Sequence, residues 1–277
     1  MREVPAVLFG FMCRAFQTHG VDTTAKTAGL RLASVDPDRF GDRVDWDDLA
    51  LFLDRCGDGL GDAELEAVGE TYVEVSTYIQ LVLRTVRSVG PAVRVLAELA
   101  RHAFPHMEVA YRELRHDRLR LDIALPPPYR ACRTYFRAAV GVLRALPGGL
   151  ALPPAPVQAE VASRHGSYDV RLPMDGPADP VDEQQQLATD LIRVLSYAFQ
   201  HDDAGAEAMI GRLRGDHGLT QAEARVALRI ARGQSVKMIA YDLGVSVHTV
   251  RTHLKRAYAK TGTHRQAELA RFILKTQ

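Results

Sequence analysis

The sequence predicts two domains of different class. Residues 1–174 read as an α+β domain, helices first and then a β-β-α-β-β antiparallel sheet. Residues 215–277 read as a small all-α domain of four helices, and 175–214 as a linker with a connector helix. Three observations carry this division. The apolar period changes from helical to alternating near residue 107. Pro173, Gly176, Pro177 and Pro180 cluster among small and acidic residues, which marks a domain end. The charge is split: from Asp216 onward eleven basic residues face four acidic ones, a net +7, whereas everything before it is net −6. A basic end on an acidic body is the footprint of a polyanion-binding module joined to a different kind of domain.

In the first domain Val4, Val7, Leu8, Phe11, Met12, Ala15 and Phe16 lie on one helical face. Trp46, Leu49, Ala50 and Leu53 form another, opened by Asp45, Asp47 and Asp48. A longer helix is predicted from Asp62 through Val68, Tyr72, Val75, Ile79, Val82 and Val86, and Pro91 opens a short one through Ala100. Strands follow at Met107–Tyr111 and Leu119–Leu125, with His116-Asp117 as the hairpin turn. Pro126-Pro127-Pro128 breaks the chain. Tyr129, Cys132, Phe136, Val140 and Leu143 give an amphipathic helix ended by Pro147-Gly148-Gly149. Two more strands are expected at 157–164 and 168–172, turning at His165-Gly166-Ser167. In the linker, Leu187, Leu191, Val194, Leu195 and Ala198 make a stripe that suits either a dimerising connector or a helix packed on its own domain. His201 to Gly215 reads as a loop with one short helix around Met209.

Composition excludes several classes. The 277 residues are 47% hydrophobic and 25% charged, within the globular range. No apolar run approaches the ~18 residues of a membrane span, and Met1-Arg2-Glu3-Val4-Pro5 does not read as a signal peptide. A cytoplasmic protein with no membrane association is expected. Cys13, Cys56 and Cys132 are few, odd in number and far apart, which fits buried thiols rather than disulfides or a zinc cluster. No P-loop, Gly-x-Ser-x-Gly elbow or His-x-x-x-His pair on a continuous helix is found, because Pro105 separates His102 from His106. No enzymatic activity, metal or cofactor is assigned.

In the last domain Thr220 and Glu223 form a capping-box pattern opening a helix through Val226, Ala227, Ile230 and Ala231, with Gly233 as its stop. A second helix runs from Val236 to Leu243, Gly244 makes the turn, and Ser246 is an N-cap for a third helix ending near Thr261-Gly262. A fourth carries Ala267, Ala270, Ile273 and Leu274. The third helix has an apolar face of Val247, Val250, Leu254, Ala257 and Tyr258. Its other face carries His248, Arg251, Thr252 and Lys255, a donor stripe about 11 Å long at ~1.5 Å per residue. Such a stripe fits a major groove about 12 Å wide, where Arg reads guanine and a Thr methyl meets thymine. Lys237, Lys260 and Arg265 flank it where phosphates would pass.

These residues resemble a known family. Leu219-Thr220-x-x-Glu223, Ile230-Ala231-Arg232-Gly233, Lys237-x-Ile239-Ala240, Leu243-Gly244-Val245-Ser246, Thr249-Val250-Arg251-x-His253-Leu254 and Lys260-x-Gly262 are similar to the LuxR-type helix-turn-helix, over about 219–274. The resemblance implies a recognition helix at about 247–261 on double-stranded DNA. It places Arg251, Thr252 and Lys255 at base contacts and Lys237, Thr249, His253 and Lys260 at the DNA backbone; the donor stripe adds His248 to the first group and the flanking cations add Arg265 to the second. It also implies a homodimer on an inverted repeat. Ala222, Val236 and Thr261 depart from the family's usual Arg, Asn and Leu.

The first domain matches no familiar input module. Its order of elements is shared with haem–nitric-oxide sensors, and residues 97–105 are faintly similar to their proximal region, which makes His102 a candidate axial ligand against a capping role. The expected function is a sequence-specific transcriptional regulator whose N-terminal domain senses an unknown ligand. The alternative is a regulator whose N-terminal domain binds a protein partner and has no small-molecule pocket.

Overall fold

The computed structural model of the chain describes residues 2–36, 42–86, 88–173, 203–231 and 236–275, with 189, 192 and 234. The chain divides into two compact units, Met1–Gln185 and Gln186–Gln277. The connector stripe at 187–198, most of the 173–180 boundary and the Gly233 stop lie outside the described residues.

In the first unit β1 (Arg2–Pro5) pairs antiparallel with β2 (Arg43–Asp45). Val4 is therefore a strand residue, not the start of the first helix. Pro5 has no N–H to continue a ladder, and α1 (Ala6–Thr18) begins after it. A short α2 (Thr23–Lys26) follows, and then α3 (Trp46–Gly57), capped by Asp45 accepting from the Asp47 amide at 3.0 Å. The single helix expected from Asp62 to Val86 is two helices, α4 (Asp62–Val75) and α5 (Thr77–Val86). They break at Ser76, which is extended (ψ 104°) and buried, with its hydroxyl accepting from the Ile79 amide at 3.4 Å. Serine offers the backbone an alternative to the helical bond, and apolar periodicity does not register it. α6 (Val89–Ala103) completes the helical part and ends before Pro105.

β3 (Glu108–Arg115), β4 (Arg118–Ala124), α7 (Arg133–Ala145), β5 (Val157–Val161) and β6 (His165–Arg171) follow in chain order. The sheet order is β3-β4-β6-β5, all neighbours antiparallel. The chain thus crosses by α7 to the far edge and returns to the middle. α6 lies against β3, and α7 against β5 and β6. Leu119, Leu121 and Ile123 alternate inward on β4 opposite Val170, Tyr168 and Gly166 of β6, so one face of the sheet closes the core.

Two expectations are corrected here. His165-Gly166-Ser167 is not a turn but the start of β6; the chain turns at 162–164, where the Ala162 amide donates to the His165 carbonyl at 2.8 Å. Gly166 serves packing instead: a Cβ there would lie 2.0 Å from the Tyr168 hydroxyl, which donates to the Phe136 carbonyl at 2.7 Å. The helix expected from Tyr129 starts only at Arg133, and the Tyr129 ring stacks on His106 at 4.6 Å.

α4 and α7 cross at two glycines. A Cβ on Gly69 would sit 1.9 Å from the Ala138 carbonyl oxygen, and one on Gly141 1.8 Å from that of Glu66. The backbones touch, and ion pairs line the crossing: Arg137 to Glu66 at 2.7 Å and to Asp62 at 3.2 Å, and Arg144 to Glu66 and to Glu70. Glu66 is 8% exposed, and two guanidinium groups meet the cost of burying its charge.

The second unit contains α8 (Asp203–His217), α9 (Gln221–Ala231), α10 (Val236–Asp242), α11 (Val247–Thr261) and α12 (Gln266–Lys275). The short helix expected around Met209, in a loop from His201 to Gly215, is a helix of 15 residues, the fifth of this unit among the described residues. Its apolar residues are sparse, which hid its length, yet Met209, Ile210 and Leu213 are buried in the same core as Leu219, Val226, Ile230, Ile239, Val250, Ala257, Leu269 and Ile273.

Candidate nucleic-acid interface

α11 is fixed at both ends by its own sequence. Ser246 accepts from the Thr249 amide at 3.0 Å, and Gly262 takes the left-handed conformation (φ 65°) that ends the helix. Gly244, also left-handed (φ 62°), makes the turn from α10. Val250 and Ala257 are buried, and Val247, Leu254 and Tyr258 pack against the core.

The opposite face of α11 is the candidate DNA surface. His248, Arg251 and Lys255 are exposed. Thr252 is half-buried, and its hydroxyl donates to the His248 carbonyl at 3.0 Å. With its one hydroxyl hydrogen used, Thr252 has left to offer a base its methyl group and the acceptor side of that hydroxyl. Arg256 and Ala259 share the exposed face. Arg256, at i+8 from His248, continues the same stripe one step past the end at Lys255.

The flanking residues divide. Lys237, on the first turn of α10, and Arg265, ahead of α12, are exposed. Thr249 and His253 are half-buried, and the Nδ1 of His253 points into the domain away from solvent.

Lys260, expected at the DNA backbone, has partners within its own domain. Its ammonium lies 2.6 Å from Oε2 of Glu223 and donates to the Gly218 carbonyl at 3.0 Å. Glu223 is 2% exposed, and its carboxylate also accepts from the Thr220 amide at 2.8 Å while the Thr220 hydroxyl accepts from the Glu223 amide at 3.3 Å. Burial raises the Glu223 carboxyl pKa, but Lys260 and Thr220 outweigh it and hold the group below its ordinary value. The capping box and the end of α11 are therefore one network. Thr261, which stands where a Leu is usual, is buried with its hydroxyl donating to the Ala257 carbonyl at 2.8 Å, so the polar substitution is satisfied.

In the first unit, a cleft of about 540 Å³ lies among Glu70, Val73, Glu74, Gln80, Arg144 and the Gly148-Gly149 turn. Nδ1 of His102 is 2.8 Å from the Glu98 carbonyl, a bond within its own helix. His106 is buried against Trp46 (5.0 Å) and Tyr129 (4.6 Å), and burial pushes its pKa down to about 4 against the pull of Asp47 and Asp45. No disulfide joins Cys13, Cys56 and Cys132. Among the described residues no helix is long and apolar enough to cross a membrane.

Residues 217–273 match the family model of bacterial regulatory proteins, luxR family. No curated protein and no solved structure matches the chain. The N-terminal unit has no family match. The capped α11 with its exposed cationic face lies within the matched residues, and the C-terminal region of this chain is a LuxR-family domain, that of DNA-binding transcriptional regulators.

Proposed function

We propose that the protein is a sequence-specific transcriptional regulator that reads double-stranded DNA with α11, under the control of a signal received by residues 1–174. The observation that carries this reading is the exposed face of a doubly capped helix in a LuxR-family domain. Arg251 and Lys255 present donors to base edges, His248 and the Thr252 methyl complete the stripe, and Arg256 extends it. Lys237, Thr249, His253 through its outer nitrogen, and Arg265 contact the DNA backbone. Lys260 contributes from inside, by tying α11 to the capping box of α9, rather than as a phosphate ligand. The protein binds an inverted repeat as a homodimer.

A candidate receiver for a small-molecule signal is the cleft of about 540 Å³, a volume in the ligand-pocket range of roughly 300–1,000 Å³, and a protein partner of residues 1–174 is the alternative. The cleft's lining of Glu70, Glu74, Gln80 and Arg144 suits a polar ligand. The test of the DNA-reading function is enrichment of duplexes from a random pool by the full chain. A recurrent, two-fold symmetric motif is expected. Uniform recovery of all sequences would contradict sequence-specific reading, and a motif without symmetry would contradict the dimer.

A further inference from the structure

The four-stranded sheet of the first unit has a second face, turned away from the core. Arg112 of β3 is paired with Arg120 of β4, Arg118 of β4 with Arg171 of β6, and Arg115 lies opposite Arg118 at the hairpin. Neighbouring strands are ~4.8 Å apart and alternate residues ~6.8 Å, so five guanidinium groups share one end of the face. The side chains of Arg112, Arg118, Arg120 and Arg171 are 69, 48, 40 and 73% exposed.

Asp122 and Asp169 lie lower in the layer, at 21 and 25%. Arg120 reaches both, at 3.2 and 3.7 Å, and the Ser167 hydroxyl donates to Asp122. Arg112 and Arg118 stand 4.0 Å from these aspartates, and Arg171 3.9 Å from Asp117. The carboxylates anchor the arginines from beneath and offset only part of their charge. Glu108 and Glu160 belong to the other end of the sheet, level with Ala124 and Ser167. The result is a cationic patch on a body whose net charge before Asp216 is −6.

We propose that this arginine face binds the phosphate backbone of the DNA that α11 reads, outside the bases it contacts. The inference rests on the DNA-reading function proposed above. Phosphate contacts need only guanidinium donors and supply affinity without sequence information. A protein partner would need an aromatic or aliphatic anchor that it can bury; among the described residues the patch presents no aromatic side chain, and the one exposed large aliphatic group beside it is Leu114 of the edge strand. A few net charges bind a separate polyanion weakly. On the same chain as a DNA reader, the patch meets its ligand at high effective concentration.

The test is salt-dependent binding of the full chain to a long random-sequence duplex, comparing wild type with the R112Q/R118Q/R171Q and R112K/R118K/R171K variants. Arg120 is left in place because it bridges the two aspartates. With ~0.9 of slope lost per phosphate contact, loss of three contacts in the Gln variant is expected to lower the slope of log K against log salt by about 2.7. The Lys variant should keep the wild-type slope. An unchanged slope in a folded Gln variant would overturn the proposal and leave α11 as reader intact, and so point to an acidic protein ligand for the patch. Equal loss in both variants would overturn it as an effect of structure rather than charge. A wild type that binds no duplex would overturn the DNA-reading function and this contact with it.

Discussion

Replacing Lys260 by Met separates the two roles open to this residue. In the structure its ammonium is 2.6 Å from a carboxylate whose side chain is 3% exposed, while its own side chain is 37% exposed. Breaking a fully buried pair costs about 3–5 kcal/mol, and breaking an exposed one about 0–1. This pair lies between, and Glu223 keeps the Thr220 amide, so about 2 kcal/mol is expected. In a unit of this size that lowers the melting temperature by roughly 10 °C. Calorimetry of the full chain would read it, in the transition that DNA shifts upward. Glu223→Gln added to Lys260→Met should restore part of the loss, because Gln still caps Thr220 and removes the unpaired charge. The pH dependence has a definite sign. A carboxyl held below its ordinary 4.5 stabilises fully above that value and loses the contribution as pH falls through the lower native one. Below its transition, Lys260→Met should bind DNA with the salt slope of wild type. An unchanged melting temperature with the slope reduced by about one would refute the reasoning and restore Lys260 as a phosphate ligand.

Three further outcomes are expected. Gly141→Ala places a methyl 1.8 Å from the Glu66 carbonyl oxygen, so α4 and α7 must part and the Glu66 ion pairs weaken; chemical denaturation should show a loss of about 3 kcal/mol, the upper end of overpacking effects. A loss under about 0.5 kcal/mol would mean that the crossing is looser than described. His106, lowered to about 4 from 6.5, makes the unfolded state the better proton acceptor between those values, so stability of the first unit should fall as pH drops from 6.5 to 4. His106→Phe should flatten that dependence in denaturant titrations across the range; an unaltered profile would assign it elsewhere. Sedimentation of the protein on its selected duplex should give two chains per site, and one chain per site would contradict the inverted-repeat reading.

Much of this was legible in the residues. Ser246, Gly244 and Gly262 announced the ends of α11, and apolar spacing named its buried face. The alternation on β4 located the sheet. What escaped has physical causes. Ser76 splits a continuous apolar period with one side-chain bond. Gly166 reads as a turn because a glycine needed for a ring contact and one needed for a reversal look alike in sequence. α8 carries few apolar residues, so its pattern marks only a short stretch around Met209 and not the full 15 residues. Lys260 shows the limit for the site: its charge and position fit a phosphate, and only the burial of Glu223, 37 residues away, reveals its partner. The arginine face is spread over three strands, and pairing alone brings it together.

The most direct measurement compares the affinity of wild type and Arg251→Ala for the enriched duplex and for a scrambled one. Arg251 is exposed on the reading face, and a bidentate base contact is worth about 1–3 kcal/mol of discrimination. The variant is expected to lose that amount on the enriched duplex, little on the scrambled one, and its preference at one base pair. Equal losses on both duplexes would contradict base reading by α11.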